Sequence, residues 1–134
     1  MTKNIDPGNM FGAIWDFPEN LSDALKLAEQ IELKCNYGNI ENIVVAGMGG
    51  SAIGGDVVSI LEKNNLEIPF VVSRGYGLPN WANNHTLVVC SSYSGNTEET
   101  LCTLDDAIEK NAKICGITTG GKLAERLDEL DKDV

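Results

Sequence analysis

The sequence has few of the residues that mark nucleic-acid, membrane-surface or metal sites. Its 134 residues include only 10 lysines and arginines against 20 aspartates and glutamates, which gives a net charge of −10. Binding to nucleic acid or to an anionic membrane surface requires clustered positive charge, so both partners are excluded. There is one histidine, His85, and no C-x-x-C pair. The sequence therefore predicts no metal site.

The sequence also shows no disulfide framework and no long apolar run at its amino terminus. Its four cysteines lie in or beside apolar segments, as the reduced, buried thiols of a cytoplasmic protein do. The first nineteen residues carry three acidic side chains and no continuous apolar core. Neither a signal peptide nor a membrane span is predicted. We therefore expect a cytoplasmic protein.

The spacing of the apolar residues favours an alternation of strands and helices. Four short apolar runs have the length of buried parallel strands, and the stretches between them carry apolar residues at helical spacing. This pattern predicts an α/β fold, a three-layer sandwich with a mostly parallel sheet of four to five strands. We expect the flavodoxin-like strand order 2-1-3-4. The four runs are residues 43–46, 68–72, 86–90 and 113–118.

The chain divides into a helical segment and a sheet domain. In residues 1–38, Asp6 with Pro7 and then Pro18 can each start a helix. We expect this segment to pack on the domain that follows, residues 39–134. The last four residues of that domain resemble the turn into a fifth strand, so we expect the domain to be truncated there.

A serine-rich segment, residues 91–97, joins the third predicted strand to the helix that follows. We call it the serine loop. The first N–H groups of a helix lack intrahelical partners, and the helix dipole adds about half a positive charge, so a phosphate can be held without lysine. Ser92, Ser94 and Thr97 can donate hydrogen bonds to it, and Gly95 permits close approach. The alternative is a capped turn whose serines face water.

A glycine-rich segment follows the first predicted strand in the same way. Five of the nine residues 47–55, here called the glycine loop, are glycine, and Ser51 is a candidate N-cap of the next helix. Strands one and three are neighbours in the expected order, so their carboxyl ends meet at the switch point where such sheets bind ligands. The coincidence of the two loops favours one shared anion site.

Two nucleotide-binding motifs compete with this interpretation. Residues 47–52 fit the dinucleotide pattern G-x-G-x-x-A, and Arg74 near the end of strand two can meet the 2′-phosphate of NADP. That pattern leaves the serine loop unexplained. A Walker A loop is excluded because Gly55 and Asp56 stand where a lysine and a serine or threonine are required. We expect no cofactor, and an NADP-binding Rossmann domain remains an alternative.

Three segments taken together carry a family resemblance: residues 47–56, 73–79 and 91–101. They resemble the bifunctional phosphoglucose/phosphomannose isomerase family, whose domains belong to the sugar isomerase (SIS) superfamily. The resemblance implies an enzyme that interconverts glucose 6-phosphate or mannose 6-phosphate with fructose 6-phosphate. It also implies that the sugar's 6-phosphate is held by Gly50, Ser51, Ser92, Ser94 and Thr97.

The resemblance places the family's catalytic groups outside this chain. The family has two SIS domains, and its catalytic arginine, glutamate, histidine and lysine come after the matched region. We therefore predict no catalytic residue here. Glu98 and Glu99 are expected to serve a helix dipole, and His85 to lie at the opposite edge of the sheet. A homodimer or a pairing with a second SIS domain is expected, and a non-catalytic sugar-phosphate binding or dimerisation module is the alternative.

Overall fold

A computed structural model describes residues 5–134. The chain forms two structural units, the first ending at Leu33 and the second beginning at Lys34. The first unit contains α1 (Met10–Trp15) and α2 (Phe17–Ala28). Pro18 lies in the first turn of α2, as predicted, because a proline there removes an N–H that has no intrahelical partner.

Asp6 supports the start of α1. Its carboxylate accepts hydrogen bonds from the backbone N–H groups of Met10 at 2.7 Å and Phe11 at 2.9 Å. These bonds lower the pKa of Asp6 below its ordinary value. The predicted start of a short helix after Asp6 is therefore confirmed.

The second unit contains a parallel sheet, and its strands pair in the order β2-β1-β3-β4. This order confirms the predicted α/β class and the predicted sequence of strands. The helices cover both faces of the sheet, which gives the expected three layers. In chain order, its elements are β1 (Asn42–Gly47), α3 (Gly49–Leu61), β2 (Phe70–Ser73), β3 (Thr86–Ser92), α4 (Glu98–Glu109), β4 (Lys113–Thr118) and α5 (Gly121–Glu129).

The hydrophobic core lies between one face of the sheet and helices α4 and α5. Alternate residues of the strands point to this face, because successive side chains of a strand point to opposite sides. Full burial of such a side chain stabilises the fold by about 1.5–3 kcal/mol. The core residues from strands and helices include Val44, Val88, Ile114, Leu104, Leu123 and Leu127.

Helix α3 packs on the opposite face of the sheet. A Cβ placed on Gly55 would lie 3.0 Å from a methyl of Val72 and 3.1 Å from one of Val45. These two valines are register partners in β2 and β1. The absent side chain at Gly55 therefore allows the helix to lie close to the sheet.

A fifth strand position is occupied beside β4. Asp133 forms a parallel bridge with Cys115, and its carbonyl oxygen accepts a hydrogen bond from Gly116 N–H at 2.9 Å. The sheet thus has four strands and one further bridged residue, in agreement with the expected four to five strands.

The side chain of Asp133 fastens residues 34–37 to this edge of the sheet. Its carboxylate accepts hydrogen bonds from Lys34 N–H at 2.7 Å, Cys35 N–H at 3.1 Å and the Tyr37 hydroxyl at 2.6 Å. The Tyr37 bond is the largest of the effects that lower the pKa of Asp133 to about 2. The pKa of Tyr37 is raised, mainly by burial and then by the same hydrogen bond.

Candidate functional site

The glycine loop and the serine loop meet at the carboxyl edge of the sheet. Strands β1 and β3 are adjacent, and Gly47 is the register partner of Ser91. Helices α3 and α4 begin just beyond these strands, at Gly49 and Glu98. Their free N–H groups and the positive ends of their dipoles therefore converge on one crevice. The predicted meeting of the two loops is confirmed.

Ser51 joins the two loops. Its hydroxyl accepts a hydrogen bond from the backbone N–H of Tyr93 at 3.2 Å, and its carbonyl oxygen accepts one from the Ser91 hydroxyl at 3.1 Å. The expectation that Ser51 caps α3 is wrong, because the helix begins at Gly49 with Met48 as its N-cap. The positive φ of 51° at Gly49 lets the backbone turn into the helix three residues earlier than predicted.

A cavity of about 540 Å³ opens between the ends of β1, β3 and β4. This volume lies within the usual range of small-molecule sites, roughly 300–1,000 Å³. Two of the predicted site residues, Gly50 and Ser51, line it. Its full lining is Met48, Gly50, Ser51, Ser91, Tyr93, Ile117, Thr118 and Thr119.

The other three predicted residues form the serine loop next to this cavity and do not line it. Ser92 is 1% exposed, and its hydroxyl lies 2.8 Å from that of Thr97 while accepting a hydrogen bond from Gly95 N–H at 3.1 Å. One hydroxyl proton is used between Ser92 and Thr97, so the other remains free to donate. Ser94 is exposed, and its hydroxyl accepts a hydrogen bond from Asn96 N–H at 3.2 Å.

The sequence reasoning missed the contribution of the turn after β4. Thr118 and Thr119 add two hydroxyl groups to the cavity. The sequence contained a signal for them, since Gly120 and Gly121 follow these threonines at the end of an apolar strand. That signal is weaker than the glycine loop after β1 and the serine loop after β3, so the sequence predicts a site between those two strands alone.

Four ionisable side chains near this edge are Arg74, Tyr76, Glu98 and Glu99. Arg74, after β2, forms an ion pair with Asp56 of α3. Glu98 and Glu99 occupy the first turn of α4, where they complement the helix dipole, and their charges raise the pKa of the Tyr76 hydroxyl.

His85 lies where the sequence predicted, immediately before β3 at the amino edge of the sheet. Its Nδ1 is 3.2 Å from the carbonyl oxygen of Asn39. It is therefore at the opposite edge from the cavity.

Residues 5–134 contain no cluster of three or more histidine, cysteine or acidic residues arranged to hold a metal ion. None of their helices is long and apolar enough to cross a membrane.

The sequence matches no protein-family model, but it is similar to known proteins. The bifunctional phosphoglucose/phosphomannose isomerase of Caldicellulosiruptor bescii is 42% identical over 125 residues, covering 93% of this chain and 37% of that protein. The D-glucosamine-6-phosphate 4-epimerase of Sulfolobus acidocaldarius is 42% identical over 86 residues, covering 63% of this chain and 26% of that protein.

A solved structure has a similar fold. It is a crystal structure from Clostridium difficile 630, provisionally named a phosphosugar isomerase. It is 25% identical to this chain with a TM-score of 0.60, and the match covers 72% of this chain and 28% of that one.

These matches cover most of this chain but a minor part of each relative. The chain spans between 26% and 37% of the length of the curated relatives it matches. The 42% identity extends over nearly the whole chain, and the α/β fold agrees with that of a solved relative. The chain therefore belongs to the bifunctional phosphoglucose/phosphomannose isomerase family.

Proposed function

We propose that this chain binds the phosphate group of a hexose 6-phosphate, as part of an isomerase that interconverts glucose 6-phosphate or mannose 6-phosphate with fructose 6-phosphate. One observation carries the proposal. Two strand-to-helix loops meet at adjacent strand ends, and the hydrogen bond between the Ser51 hydroxyl and Tyr93 N–H joins them. Two helix N-termini at one crevice form a typical phosphate site.

The local donors must overcome a repulsive background, because the chain carries a net charge of −10. Each helix N-terminus contributes about half a positive charge, and each hydrogen bond to a charged phosphate oxygen contributes roughly 1.5–3 kcal/mol. The free proton of the Ser92 and Thr97 pair and the exposed hydroxyl of Ser94 supply such bonds. The proposed phosphate ligands are Gly50, Ser51, Ser92, Ser94 and Thr97.

The sugar would extend from the phosphate into the adjacent cavity. The hydroxyl groups of Ser91, Thr118 and Thr119 line this space, as does the ring of Tyr93. These three hydroxyls donate their protons to the backbone carbonyl oxygens of Ser51, Gly120 and Tyr93, so they would accept hydrogen bonds from the hydroxyls of a sugar. The volume of about 540 Å³ accommodates a ligand of this size.

The chemical step would use groups from another part of the protein. Isomerisation through an enediol requires a base near the C1 and C2 protons, an acid for ring opening and stabilisation of the enediolate. His85 lies at the opposite edge of the sheet from the cavity. Glu98 and Glu99 lie in the first turn of α4, where they complement the helix dipole. A relative named for an epimerisation has the same 42% identity to this chain, over 86 residues, as one named for an isomerisation has over 125 residues. This supports a shared role in holding the phosphosugar.

Calorimetric titration tests the proposal. Fructose 6-phosphate should bind, inorganic phosphate should bind more weakly, and fructose should give no heat, because the phosphate supplies the recognition. Absence of fructose 6-phosphate binding would overturn the proposed function.

A coupled isomerase assay on the same chain tests whether the chain binds the sugar phosphate without converting it. We expect binding without turnover. Turnover by this chain would place catalytic groups within it and would also rule out a non-catalytic sugar-phosphate binding module.

An NADP-binding domain is the third candidate, and it is disfavoured because Asp56 already neutralises Arg74. Millimolar NADP should leave the midpoint of thermal unfolding unchanged. An increase in that midpoint would support the dinucleotide interpretation.

A further inference from the structure

The serine loop is fastened to the amino terminus of α5. Lys122 N–H donates a hydrogen bond to Asn96 Oδ1 at 3.3 Å, and Leu123 N–H donates one to the carbonyl oxygen of Gly95 at 2.9 Å. The N-cap of α5 is Gly120, which has no side chain to accept these bonds. The serine loop therefore supplies two of the acceptors that the first turn of α5 lacks.

The same asparagine is bonded to Ser94. Asn96 Nδ2 donates a hydrogen bond to the carbonyl oxygen of Ser94 at 2.9 Å, and Asn96 N–H donates one to the Ser94 hydroxyl at 3.2 Å. Asn96 thus holds both the peptide group and the hydroxyl of Ser94. Its own Oδ1 is held by α5, so the helix fixes the position of Ser94 through one side chain.

Two further contacts fix the loop on either side of Ser94. The hydroxyl and the N–H of Thr119 both donate to the carbonyl oxygen of Tyr93, at 2.6 and 3.2 Å. The backbones of Gly95 and Gly120 are so close that a Cβ on Gly95 would lie 1.7 Å from the carbonyl oxygen of Gly120. The turn between β4 and α5 therefore contacts the serine loop on both sides of Ser94, at Tyr93 and at Gly95.

We propose that Asn96 is a positioning residue of the phosphate site, which holds Ser94 in its binding geometry before the ligand arrives. The proposal rests on the proposed function, in which Ser94 contacts the phosphate. Asn96 acts through Ser94 and through α5 and needs no contact with the ligand. Without its side chain, the loop has to become ordered on binding, and that loss of conformational freedom lowers affinity.

Asn96→Ala tests the proposal, with Asn65→Ala as the matched control. Asn65 also makes one local side-chain hydrogen bond, to Glu62 at 2.9 Å, beyond the carboxyl end of α3. Fructose 6-phosphate is titrated into each folded protein well below its unfolding midpoint. We expect about tenfold weaker binding for Asn96→Ala and unchanged binding for Asn65→Ala. Wild-type affinity in a destabilised Asn96→Ala protein would show a merely structural role and overturn the proposal.

Asn96→Asp separates the two bonds of the side chain. It keeps an acceptor for Lys122 N–H but loses the Nδ2 donor to Ser94, so the unfolding midpoint should stay near that of the wild type while affinity falls. The loss should persist at high ionic strength, because salt screens repulsion between exposed charges but does not restore the missing bond. Recovery of wild-type affinity at high salt would contradict the positioning role.

Amide hydrogen exchange without ligand tests whether Asn96 positions Ser94, and this test does not depend on the proposed binding of a hexose 6-phosphate. Exchange at residues 94–96 should be faster in Asn96→Ala than in the wild type, and equal exchange would overturn the proposal even if fructose 6-phosphate binds neither protein. Failure of the wild type to bind would instead count against the proposed function. If Asn96→Ala does not fold, Thr119→Val removes one of the two bonds to Tyr93 and should weaken the binding of inorganic phosphate, which has no sugar to contact Thr119. Unchanged binding there would contradict the supporting role of the turn.

Discussion

The Ser51 hydroxyl lies 3.2 Å from the backbone nitrogen of Tyr93 and accepts its hydrogen bond. This contact joins the loop after β1 to the loop after β3, although the two residues are 42 positions apart in sequence. Ser51 lies in the first turn of α3, and Tyr93 lies between two serines of the serine loop. The bond therefore couples the two halves of the proposed phosphate site.

Ser51→Ala should weaken fructose 6-phosphate binding about tenfold, because Tyr93 N–H loses its acceptor and the ligand loses a hydroxyl donor. Isothermal titration calorimetry measures the change. Ser59→Ala is the matched control, since Ser59 lies on the same helix two turns away from the loop. Equal affinities for the two variants would remove Ser51 from the site.

Gly95→Ala should lower the free energy of unfolding by about 2–4 kcal/mol. Gly95 has a φ of 66°, and a Cβ there would lie 1.7 Å from the carbonyl oxygen of Gly120. Gly54→Ala, in the interior of α3 with open space around the new Cβ, should instead stabilise by about 0.5–1 kcal/mol. Urea denaturation compares the two. A neutral effect of Gly95→Ala would show that the loops are not interlocked.

The stability should depend on pH through Asp133. Its pKa is about 2 in the fold, against about 3.9 in an unfolded chain. Because the folded value is the lower one, the carboxylate stabilises the fold fully above about pH 4 and loses this effect as the pH falls through the folded value. Urea denaturation between pH 5 and pH 2 should therefore show a smaller decline for Asp133→Asn than for the wild type.

Asp23→Asn is the control for this pH dependence, because Asp23 is exposed and pairs with Lys26 three residues away. Its decline with pH should match that of the wild type. The same decline in Asp133→Asn would show that Asp133 does not carry this part of the stability.

Helix α3 presents an apolar surface that predicts association. Ile53 and Ile60 are 56% and 73% exposed, and contiguous apolar surface of this kind is typical of an interface. We predict that this chain pairs with a second copy or a second SIS domain. Light scattering should detect a dimer, and Ile60→Glu should shift it towards monomer. A wild-type monomer at high concentration would contradict the prediction.

The strand order and the meeting of the two loops could be predicted because they depend on local patterns. Apolar runs of four to six residues alternate with stretches of helical spacing, and in parallel sheets every strand-to-helix loop lies at the same edge. The helix predicted to follow the serine loop forms as α4 (Glu98–Glu109). The serine loop follows β3 directly, so its place in the fold came from the sequence.

The supporting contacts could not be predicted because they join distant residues through single side chains. Asn96 reaches Lys122 across 26 positions, and Asp133 reaches Lys34 across 99. No periodicity in the sequence reports such contacts. The prediction that Ser51 is an N-cap is wrong for the same reason. The Ser51 hydroxyl accepts a hydrogen bond from Tyr93 N–H of the serine loop, and α3 begins at Gly49.

The most direct test of the account is the binding of fructose 6-phosphate to the double variant Ser94→Ala, Thr97→Ala, measured by calorimetry beside the wild type. Both hydroxyl groups are proposed phosphate ligands, and each lost bond to a charged group should cost roughly 1.5–3 kcal/mol. The account predicts a loss of affinity of at least about a hundredfold in a folded protein. Wild-type affinity in that variant would contradict it.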